Sequence, residues 1–317
     1  MNRIAQIIRE WMLPAAIVLG ISIYSLYHFT PALHAYGKWL HPLASEGQRL
    51  VIAVLLFFQF VKISPHDLKI RRWHLKALGL QVGSFLLLAL AVRFLQQGSL
   101  RMLLECTMLC MICPTASAAG VITDRLGGNL ASTVTYLVMI NLAGTFLIPL
   151  VIPLVNPSAD MGFWAYVSHI AMKVFPVLIL PGLLAWIIRY TTHRFQRVLM
   201  RWAPNSFYVW GVGLTLAMVL STRALMLSGL GIWSVAGIVA VSVFTCFVQF
   251  FAGHRMDRKR SESLTAGQAL GQKNTGFLIW LGYNYMTPVT SVAGGLYAIW
   301  QNLYNSWELY QKEKGTL

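Results

Sequence analysis

Near one end of this 317-residue chain, the octet Ala269-Leu270-Gly271-Gln272-Lys273-Asn274-Thr275-Gly276 sets a lysine among amide and hydroxyl side chains inside an apolar stretch. Lys273 stands roughly eight residues from either end of that stretch, too deep for its stem to carry the ammonium to an interface. An ionisable side chain at membrane depth is costly, and its usual work is to meet a substrate, a proton or an ion. A second concentration of chemistry lies at Cys106, Cys110 and Cys113, which share one helical face, with Pro114 directly after. Thiolates select soft cations, so an arsenite-type metalloid exporter is one reading. Three thiols on one straight helix need further ligands to close around an ion, and cysteine also packs as a small apolar residue, the preferred reading. No paired aspartates, Ser/His pair or His-Glu-x-x-His motif lies in the apolar segments, which argues against an intramembrane enzyme.

The elements that must hold these residues are membrane helices. Hydrophobic residues make up 57% of the chain and charged residues 11%, where a soluble domain carries about 25%. Apolar segments of roughly 20 residues are expected at 11–28, 47–64, 77–96, 102–122, 129–154, 164–189, 206–227, 229–252, 265–283 and 287–307, ten spans in a single domain. The first is expected to be an uncleaved span, because Ser22–His28 offers no small-residue cleavage site. The net charge of +15 does not signal nucleic acid, since the basic residues sit in short loops. Lys62, Lys69, Arg71, Arg72 and Lys76 follow the second span, Arg189, Arg194, Arg197 and Arg201 the sixth, and Arg255, Arg258, Lys259 and Arg260 the eighth. The other loops are poorer, so both termini are placed in the cytoplasm, the expected location being the inner membrane of a bacterium. The four cysteines all lie in apolar segments and give no disulfide framework, and no cofactor is expected.

Ten spans divide into two halves of five, and an odd number forces the second half to enter inverted, the arrangement of many secondary transporters. Under that scheme the fourth and ninth spans are equivalent, and both carry helix-breaking chemistry. Pro114 lacks the amide proton, and the small residues Thr115 to Gly120 permit close approach by a neighbour. Gly267, Gly271 and Gly276 flank the polar cluster of the ninth. Unwound backbone at that depth survives where it is buried in protein or lines a wet cavity. Two such breaks crossing would pool carbonyls, half-helix N-termini and side chains at one point.

With these features the chain resembles the bile acid:sodium symporter family. Cys113-Pro114, the small residues after it and Gly128-Asn129 look like that family's first crossing helix. Gln272-Lys273-Asn274-Thr275-Gly276 looks like the second, usually E-x-G-M-Q-N-S-G. Gly294-Gly295-Leu296-Tyr297-Ala298-Ile299-Trp300-Gln301-Asn302, through to Asn305-Ser306, follows the tenth-span pattern G-A-L-F-S-V-W-H-N-x-x-G-S, and Gln81 matches a glutamine of the sodium sites. The resemblance implies an all-α fold of ten helices, with a panel domain (about 11–64 and 164–227) moving against a core domain (about 77–154 and 229–307). It implies small organic anions as substrates.

Departures fall on the ion sites. The family's sodium-ligating glutamate lands on Ala269 and its glutamine on Lys273, with Gln272 beside it; its Ser-Asn pair lands on Ala119-Gly120. Thr133 keeps one hydroxyl, and Leu137 stands where the next would be. The expectation is that the Lys273 ammonium replaces sodium and bonds the Thr133 hydroxyl and nearby carbonyls, leaving transport without sodium. A lysine that releases its proton would couple transport to protons instead. Pro114, Thr115, Ser117, Lys273, Asn274, Thr275, Trp300, Gln301 and Asn302 are the expected substrate-lining residues, with Asn305 near them. A membrane sensor or scaffold that has lost transport is the other alternative.

Overall fold

The computed structural model describes residues 3–316, with side chains from residue 11. The described residues form α-helices α1 (Arg3–Phe29), α2 (Gly37–Val61), α3 (Arg72–Phe94), α4 (Ser99–Ile112), α5 (Ala119–Leu126), α6 (Leu130–Val155), α7 (Phe163–Leu178), α8 (Leu180–Thr191), α9 (His193–Trp202), α10 (Ser206–Leu227), α11 (Ile232–His254), α12 (Arg260–Gly271), α13 (Thr275–Tyr285) and α14 (Thr290–Glu313). Short 3₁₀ turns precede α2, α3 and α10, and no strand is present among the described residues. The chain is therefore all-α, and seven of its helical stretches are long and apolar enough to cross a membrane. The expected fourth, ninth and tenth spans are not among the seven. Two are cut into short helices, α4–α5 and α12–α13, and α14 carries Gln301, Asn302, Asn305 and Glu308 along its length.

Trp39, Leu87, Phe94, Trp164, Met172 and Trp233 are each at least 70% exposed, a surface that only lipid covers without cost. Inside, α11 packs on α12, α14 and α4, and α3 packs on α4 and α6. On the other side α1 and α2 pack on α10, and α8 packs on α2. The seam between these groups runs where α10 meets α13 and α14 and where α2 meets α13.

Two elements differ from expectation. The sixth segment is interrupted at Ile179, between α7 and α8, and Pro181 in the first turn of α8 has no N–H to donate to the preceding helix. The loop after it is itself helical: α9 carries Arg194, Arg197 and Arg201 beside exposed Phe195, Val198 and Trp202, the amphipathic pattern of a helix lying at a membrane surface. At the same basic end, buried Glu262 of α12 accepts from Trp73 Nε1 at 2.8 Å and pairs with Arg71, tying α12 to α3.

Candidate functional site

α4 stops at Ile112 and α5 starts at Ala119; α12 stops at Gly271 and α13 starts at Thr275. The two gaps meet. Thr115 and Lys273 form an antiparallel bridge, with Ala116 N donating to Gln272 O at 3.0 Å and Asn274 N to Pro114 O at 2.8 Å. Each break thus satisfies part of the other's backbone, which unwound chain inside a membrane protein requires.

Side chains from α3, α11 and α14, and from the breaks themselves, bind further backbone groups there. A proline removes the donor its own N–H would have supplied to the carbonyl four residues earlier, here Cys110. Gln249 of α11 donates to that carbonyl at 3.2 Å. Gln81 of α3 donates to Met111 O at 2.6 Å and to Cys113 O at 3.3 Å, and its own oxygen accepts from the Tyr136 hydroxyl. Thr115 Oγ1 donates to Ala269 O at 2.6 Å, and Tyr297 OH to Gly271 O at 2.8 Å. Gln301 Oε1 accepts from Lys273 N at 2.8 Å, while the Asn274 side chain caps α13 by accepting from Phe277 N. These contacts, charge-free and buried, hold the crossing rigid.

A cavity of about 70 Å³ opens beside it, between α2 and α10 on one wall and the two breaks and α14 on the other. Ser117, Lys273, Asn274, Thr275, Gln301 and Asn302 line it. Pro114, Thr115 and Trp300 do not. Pro114 and Thr115 are turned inward to the bridge, and Trp300 Nε1 donates to Ser242 Oγ at 3.0 Å across to α11. Asn305 is buried, its Oδ1 without a partner. Gln48 and Trp210, from α2 and α10, were not anticipated as lining residues. Gln48 was legible as an isolated amide in an apolar segment. It abuts Gly276 so closely that a Cβ there would lie 2.5 Å from Gln48 Nε2.

Lys273 is wholly buried and its Nζ has no hydrogen-bond partner. The expected bond to Thr133 is absent: that hydroxyl sits 3.2 Å from both Thr123 Oγ1 and Asn129 O, committed to its own helix start. The ionisable groups that face Lys273 are the thiols of Cys110, Cys113 and Cys246, the last contributed by α11. Cys113 Sγ donates to Asn274 O at 3.1 Å. Among the described residues no three His, Cys, Asp or Glu side chains are grouped so as to hold a metal, so the cysteine trio does not converge on an ion.

A buried carboxylate does lie nearby, on a helix where none was sought. Glu308 of α14 accepts from Gln268, whose oxygen accepts from Gln272, so a polar chain runs from the break to Glu308. His254 Nε2 lies 2.8 Å from the other Glu308 oxygen without forming a hydrogen bond to it. Sequence alone places Glu308 near a span end, where a carboxylate is ordinary.

Comparison with curated proteins returns no match. A family model matches residues 12–282, a stretch that includes both crossing segments and the apolar helices seen in the fold. The chain belongs to the SBF-like CPA transporter family, whose members resemble the bile acid:sodium symporters, and is an integral membrane transporter.

Proposed function

We propose that the protein is a secondary transporter of a small organic anion across the cytoplasmic membrane, with Lys273 in place of a sodium ion. The observation that carries this reading is a pair of unpartnered polar atoms, Lys273 Nζ and Gln48 Oε1, on two residues that line one cavity. A buried donor or acceptor left unmade costs about 1–3 kcal/mol, more for a charged group, so a partner that arrives there gains that much. The N-termini of α5 and α13 open on the same cavity through Ala118 and Asn274, and their dipoles favour negative charge.

Sodium suits these residues poorly. Ala119, Gly120, Leu137 and Ala269 offer no side-chain oxygen, the Gln81 oxygen is engaged by Tyr136, and Thr133 by its neighbours. In this reading the anion enters between the α1–α2–α8–α10 group and the remainder, which act as panel and core; α7 packs on both α6 and α2 and joins them. The ten segments cross as two inverted sets of five, with both termini on the basic, cytoplasmic side. A cavity of about 70 Å³ holds only a few waters, so this is a closed form and the seam must part to admit substrate. If Lys273 exchanges its proton when the seam opens, transport couples to protons; if it stays charged, the protein is a uniporter or exchanger.

The test is uptake across pH in sodium-free buffer, for the parent and Lys273→Gln. Robust sodium-free uptake that Lys273→Gln abolishes supports the reading; strict sodium dependence of the parent sinks it. Anion binding without flux in proteoliposomes would favour a sensor.

A further inference from the structure

A larger cavity, about 490 Å³, lies elsewhere on the same seam. It is walled by the end of α10, the turn into α4 and the turn between α13 and α14. Its volume falls in the range that organic ligands occupy. α10 borders both cavities, the small one through Trp210 to Ala217 and the large one from Arg223 onward. At 1.5 Å per residue, Ala217 and Arg223 are about 9 Å apart along the helix. Between them Ser221 Oγ donates to Ser291 O at 3.1 Å and keeps the seam shut.

Arg223 is the one charged residue in that wall. Its Nε is buried with no hydrogen-bond partner, and it forms no ion pair among the described residues. Its guanidinium lies 5.6 Å from the centre of the Tyr283 ring and also contacts the Tyr24 hydroxyl, so it is steered without being neutralised. His41 of α2 interacts with it and offers no negative charge. Around it the wall carries apolar Met102, Leu227 and Leu230, with neutral polar groups at Gln97, Ser99, Ser228, Tyr283 and Thr287. An unneutralised planar fork above an apolar floor fits a ligand with a carboxylate or sulfonate head and an apolar body. The basic loop Arg194–Arg201 precedes α10, so this cavity opens at the end of the helix opposite to it.

We infer that this cavity is a second binding site, facing the outside, for an amphipathic organic anion, with Arg223 holding the charged head. The inference deepens the carrier reading, which makes the cavity an outer station about two turns of α10 from the crossing; the binding itself stands without transport.

Ser228→Cys supplies a reporter, because all four native cysteines are buried. In right-side-out membrane vesicles, a membrane-impermeant maleimide labels it from the outside. Naphthalene-2-sulfonate slows that labelling, and the uncharged 2-naphthalenemethanol does so only at much higher concentration. Adding Arg223→Gln raises the sulfonate needed for equal protection roughly tenfold, the usual worth of a charge-assisted bond, while Arg223→Lys retains part of the effect. An unchanged labelling rate without ligand shows that the Gln variant keeps the cavity. Equal protection by sulfonate and alcohol in the parent overturns the inference, as does protection indifferent to Arg223→Gln or labelling solely from the cytoplasmic side. Lys273→Gln leaves the protection intact, so uptake that strictly requires sodium or is indifferent to Lys273→Gln, with protection retained, counts against the crossing-site reading and not against this one.

Discussion

Replacing Lys273 by methionine removes the amine and keeps most of the apolar stem. The parent buries Nζ completely with no hydrogen-bond partner, and the groups facing it are thiols, which supply no counter-charge. An unmade buried donor costs about 1–3 kcal/mol, and exchanging buried charge for packed apolar atoms commonly ranges from neutral to about 4 kcal/mol stabilising. Methionine is one heavy atom shorter, and the small void it leaves costs about 1 kcal/mol. The net expectation is a stabilisation of about 1–2 kcal/mol, seen as a melting temperature raised by several degrees in lipid nanodiscs. The same variant loses uptake of whichever organic anion stabilises the parent in a thermal-shift screen, a trade of function for stability. If Lys273→Met melts lower than the parent, the amine has a structural partner and the reasoning from an unpartnered cation is wrong.

The seam and the core give three further expectations. Gly276→Ala places a Cβ 2.5 Å from Gln48 Nε2, forcing that amide from the cavity wall; uptake falls severalfold while the melting temperature moves little, since a flexible side chain can yield. Gly253→Ala meets the Ala266 carbonyl oxygen at 2.4 Å and Gly267 Cα at 2.7 Å, and backbone cannot yield cheaply. It destabilises by about 1–3 kcal/mol in a melting assay. Glu308→Gln weakens a buried acceptor that serves Gln268 and faces His254, lowering stability by about 2 kcal/mol; unchanged melting would show that the chain from Glu308 to Gln272 carries no energy.

Much of the frame was legible because apolar length and basic loops record the membrane directly. α10 spans the residues 206–227 expected for the seventh segment, and both breaks fall where a proline or a polar glycine-rich cluster interrupts an apolar run. The interruption at Ile179 lies within the single span expected at 164–189, since prolines such as Pro176 and Pro181 are tolerated in membrane helices and do not by themselves mark a break. The site was half legible. Residue type finds Lys273, but rotamer and packing decide that its amine faces three thiols rather than Thr133. Likewise Gln81 reads as an ion ligand by position, yet carbonyls freed by the break occupy its amide. Gln249 and Tyr297 do the same work at the crossing and stand in sequence only as polar groups among apolar neighbours. Trp300 looks like a cavity residue by spacing and is drawn away by Ser242.

If Lys273 stands in for a sodium ion, the folded protein gains nothing from added sodium. Thermal melting of the purified protein in choline chloride, titrated with sodium chloride at constant ionic strength, measures it most directly. An ion at ten times its Kd stabilises the folded state by about 1.4 kcal/mol. The parent is expected to melt at one temperature throughout the titration, while Lys273→Gln paired with Ala269→Glu gains a sodium-dependent rise. A saturable, sodium-specific rise in the parent would contradict the account.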